Sequence, residues 1–363
     1  MATKKANIMV FEEVNKPFKP VTVAIPPLQD HEIEVKIVYT TICTSDLHTY
    51  FGRRSSPCPS VLGHEIIGRI SMMKTPNRID FFGNPLKIGD LITWPIYAYN
   101  EDDVMARRGM PQKSASLYKY GHQSLSNGDT LNGGFASHCI LKKGTAIYKL
   151  SEKISLKEAA PLNCTHATIA GALRLAGDLT GKNVLIMGAG MLGLSACAMA
   201  KGRNAGKVMA CDTNQDRLIW AKRFGADCVF SANETKVDLV ERLEPLGLVD
   251  VVIDTTGVPE AMEKGLALLN IGGIAVWVGA VYKQDYTKLD AEAVVRKLLT
   301  IKGLHNYIPD DLAVAITFLE KTHLKYPFEV LVEKEYPLKD LEKGFNDAQE
   351  GGCYRVGIRQ EKV

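Results

Sequence analysis

The chain has 363 residues, of which 46% are hydrophobic and 23% are charged, and its formal net charge is +3. This length exceeds one ordinary domain and suits two, while the small net charge argues against a broad basic face for nucleic acid. No stretch reaches the roughly 18–20 continuous apolar residues of a membrane span, and no apolar run of signal-peptide length follows the N-terminal lysines, so we expect a soluble, cytoplasmic protein with neither a nucleic-acid nor a membrane partner.

Short strands with Pro and Gly punctuation are predicted for residues 1 to about 150, as in EIEVKIVYT, HEIIGRI and DLITWPIYAY. Such a pattern is typical of an irregular β-rich domain. From about residue 165 to 304, apolar strands alternate with helical segments, as in NVLIMG, GMLGLSACAMAK, KVMACD and NQDRLIWAKRFG. This alternation predicts an α/β domain with a doubly wound parallel sheet of about six strands.

After residue 304 the pattern is mixed again. DDLAVAITFLEK predicts a helix, and FEVLVEKEYPL predicts a strand that ends at a proline. We therefore predict two domains: residues 1–164 together with 305–363, and an inserted dinucleotide-binding domain at residues 165–304.

A glycine-rich turn follows the first strand of the inserted domain. Gly188, Gly190 and Gly193 form G-x-G-x-x-G between the strand NVLIM and a helix. In a dinucleotide site these glycines allow a tight turn, close approach to a pyrophosphate and close packing of helix on strand. The amides at the helix start, including those of Met191 and Leu192, would face the phosphates.

An acidic residue ends the second strand of this domain. Asp212 lies 19 positions after Gly193, where a carboxylate is expected to bind the ribose diol. The same carboxylate repels a 2′-phosphate, so the sequence favours NAD over NADP. Arg217, five positions later, is predicted to border the adenosine.

The eight cysteines contain no CxxC pair, so we expect reduced thiols with a few metal ligands among them. Cys43 in CTSDLH, His64 and Glu65 in GHE, and Cys164 in APLNC are residue types that bind zinc. A catalytic zinc takes about three protein ligands and keeps one open position. From composition alone, however, scattered Cys and His are core residues more often than ligands.

The motifs CTSDLH at 43–48, GHE at 63–65, GGFA at 133–136, AAPLNC at 159–164 and GAGMLG at 188–193 occur in one chain. In order and spacing the chain resembles the zinc-dependent medium-chain alcohol dehydrogenases over nearly its full length. The resemblance implies a GroES-like catalytic domain beside the Rossmann domain, and a homodimer or homotetramer. CTSDLHTYFGRR and KYGH are also similar to alcohol dehydrogenases associated with phosphonate catabolism.

The resemblance implies a role for each matching residue. Cys43, His64 and Cys164 match the catalytic zinc ligands, and Glu65 matches a neighbouring carboxylate that can join the metal. Asp46 matches the residue that orients the ligating His. Ser45 matches the hydroxyl that takes the alcohol proton, and His48 a later station of that relay. Thr256, Val278 and Gly279 fall where the family lines the cofactor channel.

Residues 97–122 depart from the family pattern. Many members bind a structural zinc there through four cysteines, and this stretch has none, so we expect one zinc per chain. Its Glu101, Asp102, Asp103 and His122 are interpreted as solvated or turn residues. His166 stands two positions after Cys164, and either borders the metal or cofactor phosphates or is a neutral side chain satisfied by backbone.

Arg53 and Arg54 follow the first ligand segment and suggest a contact to an anionic substrate such as a phosphonate. A solvated surface pair is the equally open alternative, and Lys119 and His122 are further candidates for the same contact. The predicted reaction is hydride transfer between an alcohol and NAD. The alternatives are a polyol-type dehydrogenase, a zinc-independent reductase and a non-catalytic cofactor-binding relative.

Overall fold

The computed structural model describes residues 4–125 and 128–360. By its contacts the chain divides into two compact units, the first comprising Met1–Cys164, Ile308–His323 and Pro327–Val363, and the second comprising Thr165–Tyr307 and Leu324–Tyr326. No helix in the described part of the chain is long and apolar enough to cross a membrane.

The first unit begins with short strands and a few helical turns. Its strands are β1 (Lys5–Phe11), β2 (Lys19–Ala24), β3 (Ile33–Ile42), β4 (Ser60–Val61), β5 (Glu65–Met73), β6 (Leu91–Thr93), β7 (Tyr97–Ala98), β8 (Tyr118–Lys119), β9 (His138–Leu141) and β10 (Tyr148–Lys149). Its helices in this stretch are α1 (Thr44–Tyr50), α2 (Val104–Arg107) and α3 (Leu156–Ala159).

The second unit alternates helices and strands. Its helices are α4 (Thr165–Ala176), α5 (Met191–Gly202), α6 (Gln215–Arg223), α7 (Lys236–Leu243), α8 (Pro259–Leu268) and α9 (Ala291–Arg296). Its strands are β11 (Asn183–Met187), β12 (Lys207–Asp212), β13 (Cys228–Ser231), β14 (Val249–Asp254), β15 (Leu269–Trp277) and β16 (Thr300–Gly303). The C-terminal part of the first unit adds α10 (Pro309–Thr322), β17 (Val332–Pro337), α11 (Leu341–Gln349) and β18 (Arg355–Arg359).

The six strands of the second unit form a parallel sheet in the order β13-β12-β11-β14-β15-β16. The order reverses between β11 and β14, and in such sheets ligands bind in the crevice at the carboxyl ends of the strands where it reverses. The strands are nearly continuous apolar runs because helices cover both faces. The predicted α/β class, with a β-rich unit and a doubly wound parallel sheet, is confirmed.

The main sheet of the first unit has the order β10-β6-β5-β3-β18-β17, with β9 also pairing with β3. Strand β3 pairs antiparallel with β5, so that Thr41 faces Glu65. It also pairs antiparallel with β18, so that Ile42 faces Val356. The end of β3 therefore meets the start of β5 and the start of β18, and residues distant in the sequence meet there.

Candidate functional site

A cluster of two cysteines and one histidine lies where β3 ends and β5 begins. Cys43 directly follows β3, His64 directly precedes β5, and Cys164 follows the turn at Ala160–Asn163. Their ligand atoms lie within 4.8 Å of one another, and the two sulfurs are 3.9 Å apart. Since a tetrahedral zinc with Zn–S bonds of about 2.3 Å holds two sulfurs about 3.8 Å apart, the donor set fits a zinc ion.

The turn that carries Cys164 is fixed to the rest of the cluster by Asn163. Its buried side-chain amide donates to the carbonyl oxygens of His64 and Trp94, both at 2.9 Å. Two segments that are far apart in the sequence are thus joined directly behind the ligand atoms, which holds the third ligand in place.

The Cys43 sulfur is electrostatically set up as a thiolate. A hydrogen bond from Cys164 lowers the pKa of the Cys43 thiol well below its ordinary value, against the effect of burial. The Arg355 guanidinium, with Nη2 3.7 Å from the Cys43 sulfur, lowers this pKa further. The thiolate is the form that binds metals.

Asp46 lies behind the ligands and is buried at 2% exposure. One oxygen, Oδ2, accepts a hydrogen bond from the Cys43 backbone amide at 2.9 Å. The other, Oδ1, lies 3.2 Å from Nδ1 of His64 and also accepts from the Gly63 amide at 3.3 Å. With Nδ1 facing this carboxylate, Nε2 of His64 is turned toward the sulfurs, the arrangement that orients a ligating imidazole.

Glu65 is fully buried beside the cluster and is bound by Arg355. The guanidinium donates two hydrogen bonds to the carboxylate, from Nε at 3.0 Å and from Nη2 at 3.1 Å, and the Thr41 hydroxyl donates a further one. Burial raises the pKa of Glu65, while the charge of Arg355 lowers it. Glu65 does not belong to the cluster of three ligands, so its predicted role as a ligand stays a prediction.

Sequence analysis missed Arg355, which begins β18 and lies 290 residues after its partner Glu65. The antiparallel pairing of β18 with β3 brings it there. Nothing in the local pattern around Arg355 distinguishes it from the other arginines, because the signal is a long-range strand pairing.

Ser45 and His48 occupy the first turns of α1, three residues apart and therefore on one face. The Ser45 hydroxyl lies 3.3 Å from Nε2 of His64. Burial, followed by the positive charges of Arg53 and Arg54, lowers the pKa of His48. A neutral imidazole at neutral pH follows for His48.

His122 ends a turn in which its amide donates to the Lys119 carbonyl at 3.2 Å, and its half-buried side chain lies beside the ring of His64. Its ring centroid is 5.6 Å from that of His64, and its Nδ1–H donates to the Tyr120 carbonyl at 3.0 Å. Burial is the largest cause that lowers the pKa of His122 to about 4, and the positive charge of Arg54 lowers it further. Tyr120, two residues earlier, is fully buried and holds this segment in place. The tyrosine in KYGH could have indicated a buried segment here.

The stretch at 97–122 is held by an aspartate. Asp103 caps α2, accepting from the Met105 amide at 2.7 Å and from the Ala115 amide at 3.0 Å. Asp103 thus stabilises a turn, as its interpretation as a turn residue implied. Asp102 forms an exposed ion pair with Arg107 at 3.0 Å.

In the second unit, the glycine turn follows β11 and leads into α5. Gly188 has a φ of +93°, and a Cβ there would lie 2.8 Å from side-chain atoms of Thr255 and Thr256. A Cβ on Gly193 would lie 1.8 Å from the Gly188 carbonyl oxygen. Gly190 caps α5, and a Cβ there would meet nothing within 4 Å, so open space lies beside Gly190 at the helix start.

Asp212 ends β12 beside this turn and is 7% exposed. Its Oδ2 accepts from the Ala189 amide within the glycine turn at 2.6 Å, and its Oδ1 accepts from the Asn214 amide at 2.8 Å. The carboxylate thus fixes the loop and retains further lone pairs for another donor. Arg217 lies half-buried in the first turn of the following helix α6.

The remaining predicted cofactor residues meet at the carboxyl ends of β14 and β15. The Thr256 hydroxyl donates to Asp254 at 2.8 Å, and the amides of Val278 and Gly279 donate to the Asp254 carbonyl at 2.9 and 3.2 Å. Sequence analysis missed Asp254, whose carboxylate also accepts from the Gly257 amide at 2.7 Å. Burial raises the pKa of Asp254 to about 6.

His166 is fully buried on α4 in the second unit. Its Nδ1 lies 2.8 Å from the hydroxyl oxygen of Ser195 on α5. One partner of His166 is thus a side chain of the neighbouring helix, and His166 is not part of the Cys-His-Cys cluster.

Comparison with known proteins agrees with this architecture. Residues 29–152 match the family described as alcohol dehydrogenase GroES-like domain, and residues 192–321 match the family described as zinc-binding dehydrogenase. The probable D-xylulose reductase A of Neosartorya fischeri is 30% identical over 339 residues, which cover 90% of this chain and 89% of that protein.

Two further relatives extend the comparison. The L-threonine 3-dehydrogenase of Coxiella burnetii is 29% identical, with 91% of this chain and 92% of that protein covered. A solved alcohol dehydrogenase from Thermotoga maritima is 27% identical with a TM-score of 0.93, over 99% of this chain and 100% of that one. The chain therefore belongs to the zinc-dependent medium-chain alcohol dehydrogenase family, whose enzymes use zinc and NAD(P).

Proposed function

We propose that this enzyme interconverts an alcohol and its carbonyl partner by hydride transfer to and from NAD, at one zinc held by Cys43, His64 and Cys164. The observation that carries the proposal is the meeting of these three ligand atoms within 4.8 Å of one another, with the Ser45 hydroxyl 3.3 Å from the His64 ring nitrogen. Three ligands leave the fourth tetrahedral position for substrate, as in catalytic zinc sites.

The surrounding residues handle the proton and hold the ligands. When bound, zinc supplies the Lewis acidity that lowers the pKa of a substrate hydroxyl. Ser45 Oγ accepts the substrate proton, and His48, kept neutral by burial and by the nearby arginines, receives it further along the same helix face. Asp46 fixes the orientation of His64.

We assign Glu65 an electrostatic role beside the metal. Its two hydrogen bonds to Arg355 favour a carboxylate that stays on the guanidinium in the resting site. Entry of Glu65 into the metal's coordination would require these bonds to break.

The nicotinamide cofactor, which carries the hydride, is assigned to the second unit. The open helix start after Gly190 suits a pyrophosphate, and Asp212 supports NAD over NADP because a carboxylate repels a 2′-phosphate. Thr256, Val278 and Gly279 are assigned to the channel, and Arg217 to the adenosine end. We assign the catalytic domain to residues 1–164 and 305–363, and the dinucleotide-binding domain to residues 165–304.

For the substrate, the relatives' names refer to a keto sugar, an amino acid and an alcohol. They support an alcohol or polyol substrate, and they give no support to a phosphonate as such. We retain an anionic group on the substrate as the finer proposal, because the positive charge of Arg54 lowers the pKa of His122, whose ring lies 5.6 Å from that of His64. We also propose that the enzyme forms a homodimer or homotetramer, and light scattering would measure its molar mass in solution.

The test combines metal analysis with a hydride-transfer assay. Purified protein is expected to hold one zinc per chain and to reduce NAD with at least one member of a panel of polyols, aryl alcohols and hydroxy acids, followed by nicotinamide absorbance. Cys43→Ala is expected to lose both zinc and activity, whereas Cys228→Ala, a matched change of a half-buried cysteine in the other unit, is expected to keep both. Two tightly held zincs, or full activity in Cys43→Ala, would contradict the proposal.

A further inference from the structure

A half-buried lysine of the second unit is bonded to a loop at the carboxyl edge of the parallel sheet. Lys264 lies on α8, and its ammonium donates to the backbone carbonyls of Ala232 and Glu234 at 2.7 and 2.8 Å. Both carbonyls belong to the β13 loop, residues 232–235, which joins β13 to α7. In the sheet order β13-β12-β11-β14, α8 follows the last of these strands. One side chain therefore joins elements from the two sides of the point where the strand order reverses.

The β13 loop adjoins the residue that is assigned to the ribose of the cofactor. In the ladder between β12 and β13, Asp212 is the register partner of Ser231. The next residue, Ala232, donates its amide hydrogen to the Asp212 carbonyl at 2.9 Å. Ala232 is thus bonded to Asp212 through its amide and to Lys264 through its carbonyl. A displacement of the β13 loop would act directly on the backbone of Asp212.

The β13 loop also has a local support. The Arg242 guanidinium on α7 donates two hydrogen bonds to the Glu234 carboxylate and lies 4.6 Å from the centre of the Phe230 ring. The same carboxylate accepts from the Ser231 amide at 3.0 Å. These contacts fix the internal shape of the loop, because they join residues of β13, the loop and α7. The bonds from Lys264 add a connection to α8.

A second lysine of the same unit makes a similar contact at the opposite edge of the sheet. Lys297 is also half-buried, and its ammonium donates to the carbonyls of Ala267 and Leu269 at 3.3 and 2.8 Å. Leu269 begins β15, so this contact lies at the amino ends of the strands. Because ligands of such sheets bind at the carboxyl ends, the two lysines differ in whether the edge that they support carries the cofactor.

We propose that Lys264 is a positioning residue for the adenosine half of the nicotinamide cofactor. By bonding the β13 loop to α8, its ammonium keeps the backbone of Asp212 in place for the ribose diol. This inference rests on the proposed function, which assigns the cofactor to the second unit and the ribose to Asp212. It adds a residue outside the glycine turn and outside the strand that carries the carboxylate.

Calorimetry with ADP tests the adenosine half without turnover. ADP is titrated into the zinc-loaded full chain and into Lys264→Met, which keeps an apolar stem and loses the ammonium. Since residues that support a site without touching the ligand have moderate effects on binding, ADP affinity is expected to fall roughly three- to thirtyfold. Lys264→Arg, which keeps a cationic donor, should recover most of this loss. Lys297→Met, the matched control, is expected to bind ADP as the wild type does.

Steady-state kinetics distinguish positioning of the cofactor from a general loss of structure. Circular dichroism and zinc content first establish that each variant folds and holds metal. Lys264→Met should raise KM for NAD by a similar factor and leave kcat and the KM for the alcohol close to the wild-type values, because the hydride is transferred at the nicotinamide end. Should Lys264→Met not fold, Lys264→Gln is compared with Lys297→Gln instead.

The outcomes separate this inference from the proposed function. ADP affinity that is unchanged in Lys264→Met, or reduced equally in Lys297→Met, overturns the positioning role and leaves the dehydrogenase intact. A fall in kcat with an unchanged KM for NAD also overturns it. If the wild type does not bind ADP, the inference fails, and NAD-dependent oxidation of an alcohol still decides on the proposed function. If no alcohol reacts with either cofactor, the proposed function fails, and the ADP titration still decides on Lys264.

Discussion

Replacing Arg355 with methionine tests how the metal centre is held together. Arg355→Met keeps much of the apolar stem but removes the guanidinium that binds Glu65. The Glu65 carboxylate, which is 0% exposed, is then left buried without this partner. The variant loses two hydrogen bonds of 3.0 and 3.1 Å. Because removing one partner of a buried ion pair costs ~3–5 kcal/mol, we expect the free energy of unfolding of the first unit to fall by about that amount.

The assay must isolate the first unit. Of the three tryptophans, Trp94 lies in the first unit and Trp220 and Trp277 lie in the second. In a Trp220→Phe, Trp277→Phe background, fluorescence during urea unfolding reports on the fully buried Trp94. The measurement is made in chelator, because a change in metal affinity would otherwise contribute to stability.

The pH dependence gives the prediction its sign. Burial already raises the pKa of Glu65, and loss of Arg355 raises it further. When a carboxyl has a higher pKa in the folded state than in the unfolded state, the folded protein becomes less stable as pH rises through the folded-state pKa. The decrease in the free energy of unfolding caused by Arg355→Met is therefore expected to be larger at pH 8 than at pH 5.

A double variant and a threshold complete this test. Glu65→Gln, Arg355→Met should recover at least part of the loss, since both buried charges are gone. A loss within the ~1 kcal/mol of a surface ion pair, or one that is equal at both pH values, would refute the reasoning.

Three further predictions concern the relay, the cofactor and Asp254. Ser45→Ala should lower kcat by about 10²- to 10⁴-fold with zinc content retained, and an unchanged rate at neutral pH would remove Ser45 from the relay. Asp212→Ser should narrow the ratio of kcat/KM for NAD over NADP, and a wild type that prefers NADPH would show that Asp212 is misassigned. Because burial raises the pKa of Asp254 to about 6, stability of the second unit should fall as pH rises from about 4 to 6 in the wild type. In Asp254→Asn, urea unfolding followed by Trp277 fluorescence should show a flatter profile over that window.

The sequence predicted the second unit well because its signals are local. The G-x-G-x-x-G turn, the apolar strands and the spacing to Asp212 all lie within about 30 residues, as in a βαβ unit. The structure gives separate steric reasons for Gly188 and Gly193. The sequence did not predict that Asp212 binds the Ala189 amide within the turn, because a carboxylate's partner depends on the loop geometry.

The metal centre was only partly predictable. Cys43 and His64 meet because each adjoins one of two antiparallel strands, whereas Arg355 arrives through a strand at the other end of the chain. The sequence did not predict that the ring of His122 lies beside that of His64, because the surrounding stretch is polar, although the nearby Tyr120 is fully buried. Such side chains are placed by tertiary packing rather than by local periodicity.

The charges within the buried cluster are matched without the cations that lie outside it. A divalent ion bound by Cys43 and Cys164 would be matched by two thiolates, Glu65 is matched by Arg355, and Asp46 faces His64. The buried centre therefore needs no additional positive charge. Arg54 lies outside these pairs, and its positive charge lowers the pKa of His48 and that of His122. In the proposed function, an anionic group on the substrate would compensate this positive charge.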